Sequence, residues 1–242
     1  MTRYVTAEEA ADQLQRRLAE LAPDWVVAIP DLQQRLVSAL ADEPQQLLTT
    51  MSFEAYLAWL DEDRFAEWED GKVVLMSPAS LRHQLILSFL LMLLGQYVQR
   101  RQAGIVVPAP FPMQLPQIRR GREPDLIFVA NANLARLTDT HLKGPADLVM
   151  EIISPESQTR DRITKFYEYA AAGIPEYWII DPITQTLEVY WLDAAGNYRL
   201  IAADDTGCVH SLVLPGFWLQ PAWLWEEPLS SVERRLVELD AD

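Results

Sequence analysis

From about residue 52 onward the chain switches between two hydrophobic periods. Phe53, Tyr56, Leu57 and Leu60 fall at i, i+3, i+4 and i+7 behind Ser52, which predicts an amphipathic helix with a serine N-cap. RFAEWE (Arg64 to Glu69) and KVVLM (Lys72 to Met76) then flank Asp70-Gly71. That dipeptide favours a two-residue type I′ turn, so the segment predicts a hairpin in which Glu67 stands opposite Val74 and shares a face with Phe65 and Met76. Ser80 opens a strongly apolar helix running to about Arg101. Ile105 to Val107 and the Pro-rich PAPFPMQLP predict an irregular strand, because proline confines a strand to edges and bends. PDLIFVA (Pro124 to Ala130) and DLVMEIIS (Asp147 to Ser154) are nearly continuous apolar runs, the pattern of central strands covered on both faces. A helix from about Thr159 to Ala172 ends at Gly173, suited to a C′ position. EYWIID (Glu176 to Asp181) and LEVYWLD (Leu187 to Asp193) predict further strands, with AAGN turning into YRLIA. Interleaved helices and strands of this kind predict an α/β (α+β) class, a mixed central sheet flanked by helices.

The same pattern divides the chain into three segments. Residues 1–48 read as a helical extension: Thr6 to Glu9 form a capping box ahead of Leu14, Leu18 and Leu21, and Asp31 can cap a second helix carrying Leu32, Leu36, Val37 and Leu40. Residues 49–228 form the main domain, and 229–242 an acidic C-terminal helix or tail. The longest apolar block, Leu85 to Leu94, is half of the roughly 20 residues a bilayer span needs, so no membrane partner is expected. A polar start and a lone Cys208 predict a reducing, cytoplasmic setting and exclude a disulfide framework or thiolate zinc cluster.

Charge changes the picture. The net charge of −15 argues against a polyanionic partner, yet it is unevenly spread. Between Gly71 and Arg122 there is no Asp or Glu, while Lys72, Arg82, Arg100, Arg101, Arg119, Arg120 and Arg122 all occur there. Two readings stand: a surface that faces a nucleic-acid backbone, with Arg119, Arg120 and Arg122 as contacts, or a set of cations paired with acids elsewhere in the fold.

Acids in apolar surroundings carry the candidate chemistry. Asp125 leads the buried-looking strand, Glu151 lies inside VMEII, and the hairpin register places Glu67 among Phe65 and Met76. A buried carboxylate is costly unless paired, hydrogen-bonded or bound to metal. If the three converge, a divalent cation is their natural neutraliser, and oxygen-only ligation suits Mg²⁺ or Mn²⁺. Each has a structural alternative: Asp125 as a strand cap beside Arg122, Glu151 as a buried ion-pair partner, Glu67 as an exposed hairpin residue. Asp161, Lys165 and Tyr169 share one helix face. Spacing alone favours a solvent-facing Asp–Lys pair; the other reading docks Lys165 beside the carboxylates.

Taken in order, FEAYLAWL, FAEWEDGKVVLMSPAS with His83, REPDLIFVA, LVMEIISPES and DRITKFYEYAAAGIPEYWIIDP resemble the bacterial family of putative restriction endonucleases, within the restriction-endonuclease-like PD-(D/E)XK superfamily. The resemblance covers roughly residues 50–225. It implies a mixed β-sheet flanked by helices and a divalent metal, Mg²⁺ or Mn²⁺, at strand ends. Asp125 matches the PD aspartate, Glu151 the second acid and Glu67 the upstream glutamate, the three together as metal ligands. The third position of E-x-K is Ile153 rather than Lys; Lys165 matches the lysine that the family keeps on the next helix. The implied activity is Mg²⁺-dependent hydrolysis of nucleic-acid phosphodiesters, DNA foremost. Asp125, Glu151, Lys165 and Glu67 would be catalytic, with His83 contacting phosphate or supporting Glu67. Cutting both strands of a duplex implies a homodimer. The alternatives are a catalytically silent nuclease-fold module that binds nucleic acid or protein, and a carboxylate-pair glycosidase whose Trp59, Trp68, Trp178 and Trp191 stack sugars.

Overall fold

A computed structural model describes residues 46–47, 51–60, 64–155 and 157–240. The chain divides into units Met1–Gln46 and Leu47–Asp242. The two helices expected within residues 1–48 lie outside the described residues.

The helices and strands of the second unit, in chain order, are α1 (Phe53–Trp59), β1 (Ala66–Glu69), β2 (Lys72–Leu75), α2 (Leu81–Arg101), β3 (Gly104–Pro108), β4 (Met113–Leu115), β5 (Arg120–Arg122), β6 (Leu126–Ala130), β7 (Leu142–Lys143), β8 (Leu148–Ile152), α3 (Lys165–Ala172), β9 (Glu176–Asp181), β10 (Thr186–Leu192), β11 (Tyr198–Leu200), a short ribbon of β12 (Val209–His210) with β13 (Trp218–Leu219), and α4 (Val232–Asp240). The main sheet runs β11-β10-β9-β8-β6-β3, with β8 and β9 parallel and its other neighbours antiparallel. In a second sheet β2-β1-β5-β4-β7 are adjacent in that order, β4 and β7 being parallel. This is the mixed α/β architecture expected.

Strand alternation sorts the apolar side chains into two cores. Leu126, Phe128, Leu148, Met150, Trp178 and Ile180 face α2 and α4, meeting Ile86, Leu90, Leu93, Leu236 and Leu239. Ile127, Val129, Val149, Tyr177 and Ile179 face the other way, toward Met113 and Leu115 of the second sheet and Tyr169 of α3. Strands β6 and β8 are therefore covered on both faces, as their unbroken apolar runs require. Among the described residues α2 alone is long and apolar enough to cross a membrane, but Ile86, Phe89, Leu90, Leu93, Leu94 and Tyr97 lie in the core. Ser80 caps it, accepting from the His83 N–H at 3.2 Å.

The hairpin forms in the expected register, with Glu67 opposite Val74. Asp70 and Gly71 both take positive φ, 48° and 93°, as a type I′ turn demands. The helix expected over Thr159–Ala172 is not uniform. Arg160–Thr164 is a π-helical turn that leads into α3, and Gly173 at φ 80° closes α3 by donating to the Tyr169 and Ala170 carbonyls. Such widened turns concentrate at functional sites, and both its Asp161 and the Lys165 that follows are buried.

Where β3 meets β6, Gly104 lies so close that a Cβ there would sit 2.1 Å from the Val129 carbonyl oxygen. Gly104→Ala should lower the free energy of unfolding by about 1–3 kcal/mol, as overpacking does. Urea denaturation checks this, and an unchanged midpoint would show that the strand pair can spread.

Candidate active site

Antiparallel register brings the acids together. Leu126 pairs with Met150, so one step beyond, Asp125 stands beside Glu151. The Ile152 N–H donates to Asp125 Oδ2 at 2.7 Å, and His83 Nε2, from the first turn of α2, lies 3.2 Å from the same oxygen. Glu151 Oε1 accepts from Lys165 Nζ at 2.8 Å and from the Tyr169 hydroxyl at 2.7 Å. Lys165 Nζ also lies 3.1 Å from Glu67 Oε1 and 3.3 Å from Asp161 Oδ1. On the far side, Glu67 Oε2 accepts from Arg122 Nη1 at 2.7 Å, and the Glu123 N–H reaches Glu67 Oε1 at 3.4 Å. Arg122 is fully buried and also pairs with Glu69 and Glu168.

Asp125, Glu151, Lys165, His83, Glu123, Arg160 and Asp161 line one cleft of about 550 Å³. Its electrostatics follow from burial among unequal numbers of charges. Burial pushes the Glu151 carboxyl up; Lys165 opposes the shift, but Asp161, Asp125 and Glu67 reinforce it, and the net direction is upward. Burial and the neighbouring Glu67 raise Glu123 to about 8. Glu67 goes the other way: burial disfavours its charge, but Lys165 and Arg122 together outweigh that and hold it well below the usual carboxylate range. For Lys165, burial is outweighed by Glu151, Glu67 and Asp161, so the ammonium stays charged. Burial disfavours the His83 imidazolium too, but the hydrogen bond to Asp125 and its charge raise the pKa.

Asp125, Glu151, Lys165 and Glu67 thus meet in one cluster, drawn from β8, α3, the hairpin and the segment before β6. Several expectations are corrected. Glu67 does not line the cleft, and its oxygens are engaged by Arg122, Lys165 and the Glu123 N–H, so in this arrangement it anchors Lys165. Nor is Glu67 exposed on the hairpin, despite its neighbour Phe65 being 39% exposed. Arg122, wholly buried, cannot touch a nucleic-acid backbone. Arg120 pairs with Glu168 at 2.6 Å and the exposed Arg119 with Asp70 at 2.7 Å. Arg82 pairs with Glu227, and both Arg100 and Arg101 with Asp240. Every arginine in the Gly71–Arg122 stretch, though not the exposed Lys72, is therefore matched by an acid elsewhere, which bears out the second of the two readings for the arginines. The Asp161–Lys165 pair is buried rather than solvent-facing. His83 binds Asp125, not Glu67. None of the described tryptophans lines the cleft, which removes the sugar-stacking reading.

Glu123, Arg160 and the role of Tyr169 escape sequence reasoning. Glu123 had a usable signal: it lies two residues before Asp125, so an extended backbone puts both on one side. Its Oε2 is buried without a hydrogen-bond partner.

The donor set fits a divalent cation held by two carboxylates. Asp125 and Glu151 each commit one oxygen to protein donors and keep the other, and both line the cleft. Among the described residues no group of three or more His, Cys, Asp or Glu could hold a metal alone. A cation here would complete its shell with water and substrate oxygens, the habit of Mg²⁺. Seven carboxylates (Glu67, Glu69, Glu123, Asp125, Glu151, Asp161, Glu168) surround Lys165, Arg122 and Arg160, and the upward push on Glu123 and Glu151 marks where a further positive charge would relieve the cluster.

Compared with known proteins, residues 53–222 match the family described as Uma2, putative restriction endonuclease. Among solved structures, the chain is similar to the 1.96 Å crystal structure of a putative nuclease belonging to DUF820 from Anabaena variabilis ATCC 29413. That match has a TM-score of 0.60 and 16% identity over 72% of this chain and 97% of the other, a likeness of fold. No curated protein matches significantly.

The charge cluster has consequences for stability. Glu67→Ala strips a buried partner from both Arg122 and Lys165 and should cost about 3–5 kcal/mol in urea unfolding; a loss below about 1 kcal/mol would mean the cluster re-pairs freely. Glu123 has the opposite sign. Its pKa of about 8 lies above the unfolded value, so its contribution is fully present below the ordinary carboxylate range and lost as pH rises through about 8. Glu123→Gln should therefore gain stability relative to wild type between pH 5 and pH 8.5. Parallel unfolding curves at the two pH values would show instead that Glu123 titrates normally.

Proposed function

We propose that this chain, which belongs to the Uma2 family of putative restriction endonucleases, is a divalent-metal-dependent endonuclease hydrolysing nucleic-acid phosphodiester bonds, those of DNA foremost. The observation that carries the reading is the recessed group of Asp125 and Glu151, side by side on adjacent strand positions, with the Lys165 ammonium 2.8 Å from Glu151.

Asp125 and Glu151 would hold the cation, Mg²⁺ or Mn²⁺. When bound, such an ion supplies Lewis-acid polarisation of the phosphate and a more acidic water. The chain's own residues do the rest. Lys165 and Tyr169 bind the same oxygen of Glu151, which fixes the side chain and leaves the second oxygen for the cleft. The Ile152 N–H and His83 do the same for Asp125. Lys165 sets a permanent positive charge where negative charge grows on the phosphate oxygens, a preorganised stabilisation that needs no rearrangement during reaction. Glu67 and Asp161 hold that ammonium in place.

Support for chemistry over a silent binding module lies in the desolvated acids themselves. A module that only binds gains nothing from Asp125 and Glu151 held side by side in a recessed cleft around a buried ammonium, each with an oxygen that no protein donor engages. Incubation of purified protein with plasmid and labelled oligonucleotides in Mg²⁺ or Mn²⁺ should give cleavage, absent in chelator. Asp125→Ala, Glu151→Ala and Lys165→Met should each lower the rate by at least about 10²-fold. Equal cleavage by wild type and all three variants would mean a contaminant and end the proposal.

A further inference from the structure

We propose, resting on the nuclease reading above, that the cleft admits an unpaired DNA segment (a single strand, a frayed end or a gap) in preference to an intact duplex. Depth, charge and the make-up of the cleft wall carry this.

The cleft is deep. Glu151 is 3% exposed and the Asp125 side chain 16%, so a phosphate must enter the cleft to reach them. The volume of about 550 Å³ falls in the range of small-ligand pockets, about 300–1,000 Å³, which suits one or two nucleotides. A duplex instead needs an open channel along which many phosphates meet cations together.

Charge points the same way. Duplex affinity comes mainly from Lys and Arg neutralising phosphates. Here the net charge is −15, and all six arginines between Gly71 and Arg122 are paired with carboxylates. Arg160 lines the cleft itself: its Nε is buried with no hydrogen-bond acceptor, and its ion pair with the adjacent Asp161 is long, at 3.9 Å. That guanidinium can take a single phosphate beside the acids, which is the need of one threaded strand.

The wall supplies the complement for bases. Phe65, Met76, Pro78, Leu87 and Pro110 line the same cleft, and Phe65, immediately before β1, is 39% exposed. An exposed aromatic in the same cleft as a cation able to take a phosphate is how proteins hold unpaired bases: stacking acts on the neutral base face and is indifferent to the protein's net charge. Paired bases hide those faces in the helix stack and have nothing to offer Phe65.

Binding and cleavage separate this inference from the reading on which it rests. Fluorescence anisotropy at low salt without metal would compare a labelled single-stranded DNA, its blunt duplex and the same strand as RNA. The single-stranded DNA should bind at least about ten-fold more tightly than the duplex. Phe65→Ala should weaken it by roughly ten-fold, within the span of measured base–aromatic stacking, while Phe65→Trp retains it and neither variant moves duplex binding. Melting curves confirm that both variants are folded. A duplex bound as tightly as the strand, an undetectable strand complex, a preference for RNA, or no effect of Phe65→Ala would each overturn the inference. With Mn²⁺ added, cleavage that is abolished by Asp125→Ala but prefers duplex keeps the nuclease reading and overturns this one. Tight strand binding without any such cleavage sinks the nuclease reading and leaves the unpaired-strand pocket standing.

Discussion

The Lys165 ammonium, buried among Glu151, Asp161 and Glu67, is the constraint on which the rest of the site depends. It joins separate parts of the fold: Glu151 belongs to the main sheet, Glu67 to the hairpin of the second, and Lys165 to the helix that follows the widened turn. Desolvating an ion costs several kcal/mol, and mutual attraction repays that only with good geometry and further hydrogen bonds. The geometry here is supplied by Arg122, which fastens Glu67 on one side and Glu168 of α3 on the other. Helix and hairpin are thereby pinned to each other through side chains. An apolar core of equal volume could bring comparable stability. What it could not do is hold an ammonium and two carboxylates at one address beside an open cleft.

How the cluster distributes its charge explains the division of labour among chemically similar acids. Glu67 has two cations against it and is held ionised; Glu123, two residues from Asp125 and facing the Glu67 charge without a hydrogen-bond partner for Oε2, is pushed the other way. The same side chain becomes an anchor in one place and a reluctant anion in another because of what surrounds it. Asp125 and Glu151 each have one oxygen tied to strong protein donors and another that no protein donor engages, and both line the cleft. In that arrangement an added cation does not have to break a structural bond.

Much of the fold and part of the site are legible in the order of residues alone. The Asp70-Gly71 turn sets the hairpin register, and that register places Glu67 opposite Val74. Asp125 and Glu151 stand out because a charged residue inside an unbroken apolar run has no cheap structural explanation. Other features lie beyond reach for equally physical reasons. Helical spacing puts Asp161, Lys165 and Tyr169 on one face but says nothing of where the face points, so a solvent-exposed pair is the simpler reading. Arg122 reads as part of a basic surface because a sequence shows which charges are neighbours along the chain, whereas its partners Glu67 and Glu168 are 55 and 46 residues away. The π turn at Arg160–Thr164 leaves no mark in the hydrophobic period. Glu123 is overshadowed in the sequence by Asp125, although its offset of two residues places it on the same side of an extended strand.

The acidity of the molecule and a nucleic-acid substrate are therefore compatible only on particular terms. A long-range field from −15 charges repels a polyanion, and the arginines that would offset it locally are matched by carboxylates. On the proposed reading, attraction would be short-ranged: a cation between Asp125 and Glu151, the Arg160 guanidinium within the cleft, and apolar contact with Phe65. Each of these acts over a few ångströms and only on a strand already inside. On that proposal affinity would be set by what fits the cleft and little by what passes near the surface, and such a site would discriminate by shape and base exposure before it discriminated by sequence.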